Sequence, residues 1–217
     1  MIKPLLIAAT LAATASPASA AELITNGSFE NPEITDPCCS TVPTASLPGW
    51  TIGSGNVNVV NGTFASAAGN LALDGTQYLD LIGEGGVGSL SQTFGTIAGQ
   101  LYLFKFAYSH NIFSGLPSAS ASYSVDGLSG IITHSTGSNA NLDWQMFSGT
   151  FVATGSSATL NFTNLLGGAN DGILLDAVSV SAVPEPSTWL LLVFGIGAIG
   201  FAMRRQKRAR TRVSYAF

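Results

Sequence analysis

Alternating apolar and polar positions run through the middle of the chain. Over residues 101–108, four aromatic residues alternate with three aliphatic residues and Lys105. Over residues 120–125 and 157–163, apolar residues alternate with Ser, Thr and Asn. Because successive side chains of a strand point to opposite faces, this period of two predicts half-buried strands of a sheet with one solvated face.

Short apolar runs elsewhere predict further strands. These candidate strands cover residues 22–25, 56–60, 78–82, 90–94, 130–134, 146–152 and 173–181. Gly- and Ser-rich segments connect them, and between residues 21 and 183 no run of ten residues has a helical period. About ten strands with short connections predict an all-β fold in which two sheets pack face to face as a sandwich.

The chain begins with a pattern typical of export. Lys3 precedes an apolar stretch over residues 5–15, and Ala18, Ser19 and Ala20 follow it. A charged start, a short apolar stretch and an A-x-A site together form a secretory signal peptide. We therefore expect residues 1–20 to be removed and the mature chain to begin near Ala21.

A second apolar run covers residues 189–203 near the C-terminus, and a basic cluster follows it. As a helix, this run spans about 22 Å, whereas the hydrocarbon core of a bilayer is about 30 Å thick. Arginines that snorkel cover the difference, so we expect a single transmembrane helix that anchors the protein transiently in the inner membrane. The basic cluster predicts a cytoplasmic C-terminus.

The charges of the chain are separated by region. Six of the eight Lys and Arg residues follow the apolar run, and Lys105 is the only base between residues 21 and 183. The same span holds eleven of the twelve acids, so one positive charge against eleven negative charges gives −10. One base cannot neutralise a row of phosphates, which argues against nucleic acid and anionic lipid as partners. We expect a soluble domain that attracts cations such as calcium.

The C-terminal tail resembles the PEP-CTERM sorting signal of Gram-negative bacteria that produce exopolysaccharide. The resemblance is carried by Val183-Pro184-Glu185-Pro186, by the apolar run and by the basic cluster that begins at Arg204-Arg205. It implies that a membrane-embedded exosortase processes residues 183–212 as a sorting signal, which delivers the protein to the cell surface or the extracellular matrix. The prolines predict an extended, accessible handle. An ordinary tail anchor that is never processed is the alternative.

The motifs of residues 21–182 resemble the DUF642 or choice-of-anchor C type of domain. In order, they are Asn26-Gly27-Ser28-Phe29-Glu30, Leu47-Pro48-Gly49-Trp50, Ala68-Gly69-Asn70, Leu73-Asp74-Gly75, Ser91-Gln92-Thr93-Phe94, Gly99-Gln100-Leu101-Tyr102 and Leu175-Asp176-Ala177-Val178-Ser179-Val180. The resemblance implies a jelly-roll sandwich similar to the galactose-binding-like fold of carbohydrate-binding modules. It also implies a non-catalytic protein associated with exopolysaccharide or biofilm. A dedicated carbohydrate-binding module with a defined glycan is the alternative.

Asp176 lies in the last predicted strand, where strict alternation places it on one face with Leu174, Val178 and Val180. A carboxylate on an apolar face needs a partner or a metal. In the jelly rolls that the domain resembles, an acid at this place and a Glu after Phe near the N-terminus help to bind a structural calcium. The resemblance therefore makes Glu30 and Asp176 candidate calcium ligands, and no other cofactor is expected. In the alternative, Asp176 accepts hydrogen bonds from backbone amides of the N-terminal segment.

The two cysteines, Cys38 and Cys39, are adjacent, and export permits their oxidation. A bridge between neighbours is strained, since their Cα atoms are about 3.8 Å apart, below the usual disulfide range. The sequence leaves a vicinal disulfide, free thiols and a link to another chain as alternatives. Two cysteines are too few for a zinc site.

No motif supports catalysis. Residues 83–88 fit the pattern G-x-G-x-x-G, but a predicted strand follows them where a dinucleotide site needs a helix. The chain has no G-x-S-x-G elbow. His110 and His134 are isolated in the sequence, so we interpret them as surface or loop residues. Any acidic domain contains possible glycosidase pairs by chance, and the scattered acids that could supply one here are Asp74, Asp80, Glu84, Asp126 and Asp143. We therefore expect no enzyme activity and no catalytic residues, with a glycoside-active enzyme as the third alternative.

Aromatic residues on an open face would favour the binding of sugar rings. Tyr78, Tyr123 and Trp144 are the aromatic residues that the patterns commit least to the core, which makes them candidate glycan contacts. Core packing is the alternative for each, since sandwich cores also use Tyr and Trp. Trp50 is expected in the core.

Overall fold

The computed structural model describes residues 20–35, 38–42, 47–84, 87–113, 115–184 and 186–209. Almost all of the predicted signal peptide lies outside the described residues, as does Glu185 of the sorting motif. The side chains of residues 39–42, 186–191 and 205–209 are also outside the description.

The described residues form two antiparallel sheets that pack as a sandwich. In chain order the strands are β1 (Cys39–Val42), β2 (Thr51–Ile52), β3 (Val57–Asn61), β4 (Gln77–Asp80), β5 (Ser89–Gly95), β6 (Leu101–His110), β7 (Ala119–Val125), β8 (Leu128–His134), β9 (Gln145–Val152), β10 (Ser157–Leu166) and β11 (Ile173–Ala182). One sheet has the order β1-β3-β4-β11-β6-β9, and the other has the order β2-β5-β10-β7-β8. The predicted all-β, two-sheet jelly roll is confirmed.

The alternation read from the sequence places the main core between the sheets. Strand β7 alternates buried and half-buried residues along its length, and Ala158, Leu160 and Phe162 of β10 are buried as predicted. Aromatic rings dominate the centre, where Phe106 lies within 5.0 Å of the Phe162 centroid and 5.6 Å of the Tyr123 centroid. Trp50 lies in this core beside Phe29, as expected.

A second apolar cluster covers the outer face of the six-stranded sheet. Strands β3 and β4 are buried on both faces, because Val59 and Leu79 face the main core whereas Val60 and Tyr78 belong to the second cluster. Partly buried residues of the loops that follow β3, β6 and β8 pack against this cluster. These loops therefore enclose polar groups of the outer face that an open sheet would expose.

A bulge in β11 changes the predicted side-chain faces. The pairing with β6 shifts between Asp176 and Ser179, and Ala177 has a φ of 50°. The extra residue returns Val178 to the main core, so it does not share the face of Asp176. The prediction that Asp176 lies on one face with Val178 and Val180 is therefore wrong, although Leu174 does lie on its face.

The N-terminal segment is not a full strand. In place of the strand predicted over residues 22–25, the structure has an isolated bridge between Glu22 and Ser181, and the amide of Leu23 donates to the carbonyl of Val180. The segment follows the end of β11 for too few residues to extend the sheet.

The chain leaves the sandwich at Val183 and then forms a helix. The Val183 amide donates to the Leu101 carbonyl, its carbonyl accepts from Gln100, and Pro184 is exposed. Helix α1 covers Pro186–Ala209, and its described side chains from 192 to 204, including Arg204, are exposed. No helix in the described part of the chain meets the length and apolarity of a membrane span. The transmembrane helix is thus not confirmed.

Candidate functional site

A cavity of about 300 Å³ lies at one end of the six-stranded sheet, and we call it the loop pocket. It is formed by β3, the end of β4 and the loops that follow β3, β4 and β6 or precede β11. Its lining residues are Asn58, Val60, Phe64, Tyr78, Asp80, Glu84, Asn111, Phe113, Asn170 and Asp171. The volume lies at the lower end of the range of small-molecule sites.

Asp80 is the most deeply buried acid of the loop pocket. Its carboxylate accepts hydrogen bonds from the amides of Ile82 at 2.9 Å and Gly172 at 3.1 Å, and from Asn111 Nδ2 at 2.8 Å. Burial raises the pKa of Asp80 to about 7, these hydrogen bonds oppose the rise, and the nearby Asp171 adds to it. A carboxyl group with this pKa gains and loses a proton near neutral pH.

Two further buried groups of the pocket have no hydrogen-bond partner among the described residues. They are the Asn58 side-chain oxygen and the Tyr78 hydroxyl, on residues that are 8% and 1% exposed. Burial and the charge of Asp80 raise the pKa of Tyr78. An unpaired buried polar group costs about 1–3 kcal/mol, so a ligand that pairs with these groups recovers part of this free energy.

Aromatic residues from two loops add an apolar wall. The rings of Phe64 and Phe113 meet edge to face at 5.6 Å. Trp144 is half-buried beside the pocket, where its ring meets the Tyr78 ring edge to face at 5.8 Å and its Nε1 donates to the Leu71 carbonyl. Tyr78 is almost fully buried but lines the pocket. Trp144 is half-buried beside it, and its role as a glycan contact stays a prediction.

Tyr123 is not available as a glycan contact. It is 8% exposed and lies in the main core, 4.5 Å from the Phe147 centroid and 5.6 Å from the Phe106 centroid. Its alternation with serines in β7 is the ordinary pattern of a half-buried strand. The prediction for Tyr123 is corrected: it is a core residue.

His110 and His134 form a buried pair, so their interpretation as surface or loop residues is wrong. Their Nδ1 atoms are 2.8 Å apart, which joins β6 of one sheet to β8 of the other. Each Nε2 faces a carbonyl oxygen, of Leu116 for His110 and of Asp143 for His134. Burial and the neighbouring ring lower the pKa of His110. The pair thereby fixes the loop that carries Asn111 and Phe113.

Glu30 and Asp176 both accept hydrogen bonds from residues 73–77, which lead into β4, and we call this arrangement the loop clasp. Asp176 accepts from the amides of Leu73 at 2.8 Å, Asp74 at 3.0 Å and Ala177 at 2.7 Å. Glu30 accepts from the amides of Thr76 and Gln77 and from the Thr76 hydroxyl. At Gly75, which has a φ of 82°, a side chain would collide with the Glu30 carboxylate.

The loop clasp does not fit a calcium ion in this arrangement. Calcium takes six to eight oxygen ligands, whereas each oxygen of these two carboxylates already faces an N–H or O–H donor. Within the described residues, no three His, Cys, Asp or Glu side chains group as a metal site. Asp176 instead caps backbone amides, as in the alternative, although the amides belong mainly to residues 73–74 rather than the N-terminal segment. Burial raises the pKa of Asp176 to about 7.

The remaining sequence predictions concern cysteines and the G-x-G-x-x-G pattern. Cys38 is disulfide-bonded, and the side chain of Cys39 lies outside the described residues, so the vicinal bridge stays a prediction. Strand β5 follows residues 83–88 directly, where a dinucleotide site needs a helix, so this pattern does not mark such a site.

The fold and the tail together define an exported β-sandwich protein with a C-terminal sorting signal. The PEP-CTERM protein-sorting motif matches residues 182–208, which marks the chain for export and processing by an exosortase. The DUF642 family, whose proteins are described as of unknown function, matches residues 22–181. The chain therefore belongs to the DUF642 family. None of the curated proteins matches it.

Two solved structures show which proteins share the fold. A cyclase from Fischerella sp. TAU in complex with 4-(1H-indol-3-yl)butan-2-one is 18% identical, with a TM-score of 0.54, and the match covers 76% of this chain and 99% of the cyclase. TmCBM61 in complex with β-1,4-galactotriose is also 18% identical, with a TM-score of 0.53, and the match covers 76% of this chain and 100% of the module. Since one is an enzyme and the other binds a glycan, the fold alone does not decide the function.

Proposed function

We propose that this protein is a non-catalytic cell-surface or matrix protein whose sandwich binds extracellular polysaccharide through the loop pocket. The observation that carries the proposal is the combination of an aromatic wall with buried, unpartnered polar groups in one cavity. Sugar rings present apolar faces to aromatic residues, and their hydroxyls pair with polar side chains. The sorting signal would place this pocket in the exopolysaccharide of the producing cell.

Affinity electrophoresis tests this proposal. The purified full-length protein, kept in nonionic detergent, migrates through gels with and without the exopolysaccharide of the producing strain. We expect retardation that the Phe113→Ala variant loses, because the pocket loses part of its apolar wall. Ile131→Ala is the matched control, since Ile131 is 68% exposed on the other sheet and does not line the pocket. Unretarded migration through gels that contain this polymer or any of a panel of neutral and charged glycans would contradict the proposal.

Cleavage of a glycan is the second candidate function, and the raised pKa of Asp80 favours it. A carboxyl group that titrates near neutral pH beside a second acid can act as a general acid. The measurement is the release of reducing ends from the same polysaccharide, with Asp80→Asn as the inactive variant. If the protein releases reducing ends and the Asp80→Asn variant does not, the function is catalysis rather than binding.

A further inference from the structure

The loop pocket combines negative charges without a compensating base. Three acidic side chains line it, the carboxylates of Glu84 and Asp171 and the carboxyl of Asp80, which titrates near pH 7, and no Lys or Arg of the described chain does so. Lys105, the only base between residues 21 and 183, lines a separate depression with Glu22 and Asp74. Burial is the main cause of the raised pKa of Asp80, and the charge of Asp171 adds to it. Such a cleft attracts cations and repels anions.

The unpartnered groups indicate, independently of the charges, that a ligand must donate hydrogen bonds. The Asn58 side-chain oxygen can only accept, and it is buried without a donor in the described structure. The Tyr78 hydroxyl, equally unpaired, can also accept. An ammonium group matches such acceptors, because it carries three donors and no acceptor.

The apolar wall fits a cation that is attached to a ring. Phe64 and Phe113 line the same cavity as the carboxylates. A cation that approaches the face of an aromatic ring gains about 0.5–2 kcal/mol, and the apolar face of a sugar packs on the same surface. An inorganic cation would use only the carboxylates and would leave this wall without a role.

We propose that the loop pocket binds a hexosamine whose amine is free and protonated. This inference rests on the glycan-binding function proposed above and adds the class of sugar. The ammonium group pairs with the carboxylates of Glu84 and Asp171 and with the Asn58 oxygen, while the ring packs against Phe113. An N-acetylated hexosamine lacks the positive charge, and a uronic acid brings a negative charge to an acidic site. Both are therefore discriminated against.

Calorimetric titration of the full-length protein in detergent and weakly acidic buffer tests the inference. The probes are oligosaccharides of equal length: β-1,4-linked glucosamine, its N-acetylated form, β-1,4-galactan and oligogalacturonate. We expect the glucosamine oligomer to bind at least about tenfold more tightly than the other three, since a close charge pair contributes on this scale. The preference should shrink as salt is added.

Charge-neutral variants locate the binding. Asp171→Asn and Glu84→Gln each remove one pocket charge, from side chains without a hydrogen bond in the described structure, and should each weaken glucosamine binding several-fold. Glu33→Gln is the matched control, because it changes the net charge equally at an exposed position outside the pocket. It should leave the affinity unchanged. Thermal unfolding of each variant verifies that it is folded.

The outcomes separate this inference from the function on which it rests. Equal or tighter binding of galactan, with no effect of Asp171→Asn, would overturn the amino-sugar inference and leave glycan binding intact. An equal loss in Glu33→Gln and Asp171→Asn would also overturn it, since the attraction would then come from the −10 domain as a whole. Absence of binding to every probe and to the native exopolysaccharide would overturn both proposals.

Discussion

The loop clasp and the loop pocket are built on the same outer face of one sheet, and each contains a buried aspartate whose pKa is raised to about 7. In the clasp, three backbone amides surround Asp176, and the segment that donates two of them closes over it. In the pocket, Asp80 is paired, but the Tyr78 hydroxyl and the Asn58 oxygen beside it are not. Burial and a raised pKa alone therefore do not mark a functional site. The unpaired groups next to the carboxylate distinguish the pocket from the clasp, and the proposed binding site rests on them.

The largest expected effect is the loss of stability between pH 5 and pH 8. Both aspartates have a folded pKa of about 7 against an ordinary value of 3.8, so the folded state binds more protons than the unfolded state between these values. The free energy of unfolding therefore falls as the pH rises from 5 to 8, by on the order of 5 kcal/mol for the two groups together. Thermal melts across the range check it.

The variants Asp80→Asn and Asp176→Asn show how much of this pH dependence of stability comes from the pocket and how much from the clasp. Each should flatten part of the pH dependence, because each removes one titrating group. His110, whose pKa is lowered by burial, contributes a slope of the opposite sign below its ordinary value of 6.5, so each aspartate is measured as the difference between its variant and the unchanged protein. A pH dependence that neither variant alters would contradict the raised pKa of both aspartates. Asp126, whose pKa is lowered by its hydrogen bonds to Thr154, titrates below the window and does not disturb the measurement.

Replacing each buried aspartate with alanine should destabilise the protein more at the clasp than at the pocket. Asp176→Ala leaves the enclosed amides of Leu73 and Asp74 without an acceptor and should cost about 3 kcal/mol. For a domain of this size, that corresponds to a fall of about 10 °C in melting temperature. Asp80→Ala should cost about half as much, because water in the pocket can reach the amides that it leaves. Equal losses for the two variants would show that the pocket is as closed as the clasp.

Removal of the unpaired hydroxyl should have a smaller effect of the opposite sign. Tyr78→Phe removes a buried group without a partner and should raise the free energy of unfolding by about 1 kcal/mol while weakening ligand binding. Tyr102→Phe is the control, since the Tyr102 hydroxyl accepts from the Ile97 amide and its loss should destabilise by a similar amount. Denaturant unfolding measures both. Destabilisation by Tyr78→Phe would reveal a partner for this hydroxyl.

Removal of calcium should have the smallest effect. Because the Glu30 and Asp176 oxygens already accept hydrogen bonds from the loop, a chelator such as EDTA should leave the melting temperature unchanged. A lower melting temperature that added calcium restores would instead establish the metal at the clasp and require a rearranged loop.

The sequence predicts the sheets well where the side-chain period is regular, as in β6, β7 and β10. It does not reveal β1 or β2, which are too short to show a period, or the bulge, since alanine at position 177 gives no signal for a positive φ. Acids at positions 30 and 176 could be singled out through the family resemblance, but their amide partners could not. The pocket and the histidine pair join residues that are far apart in the chain, so no local sequence motif predicts them.

The position of β11 has a mechanical consequence. This strand begins beside the loop pocket and ends at Ala182, so the pocket and the tail lie at opposite ends of a ten-residue strand, about 33 Å apart. If the proposed polymer is bound and the tail is held, tension would run along β11, which pairs with β6 over most of its length and with β4 at Leu174 and Leu175. The hydrogen bonds of a strand lie across such a load and share it, so we expect the pairing of β11 with β6 to carry most of the force.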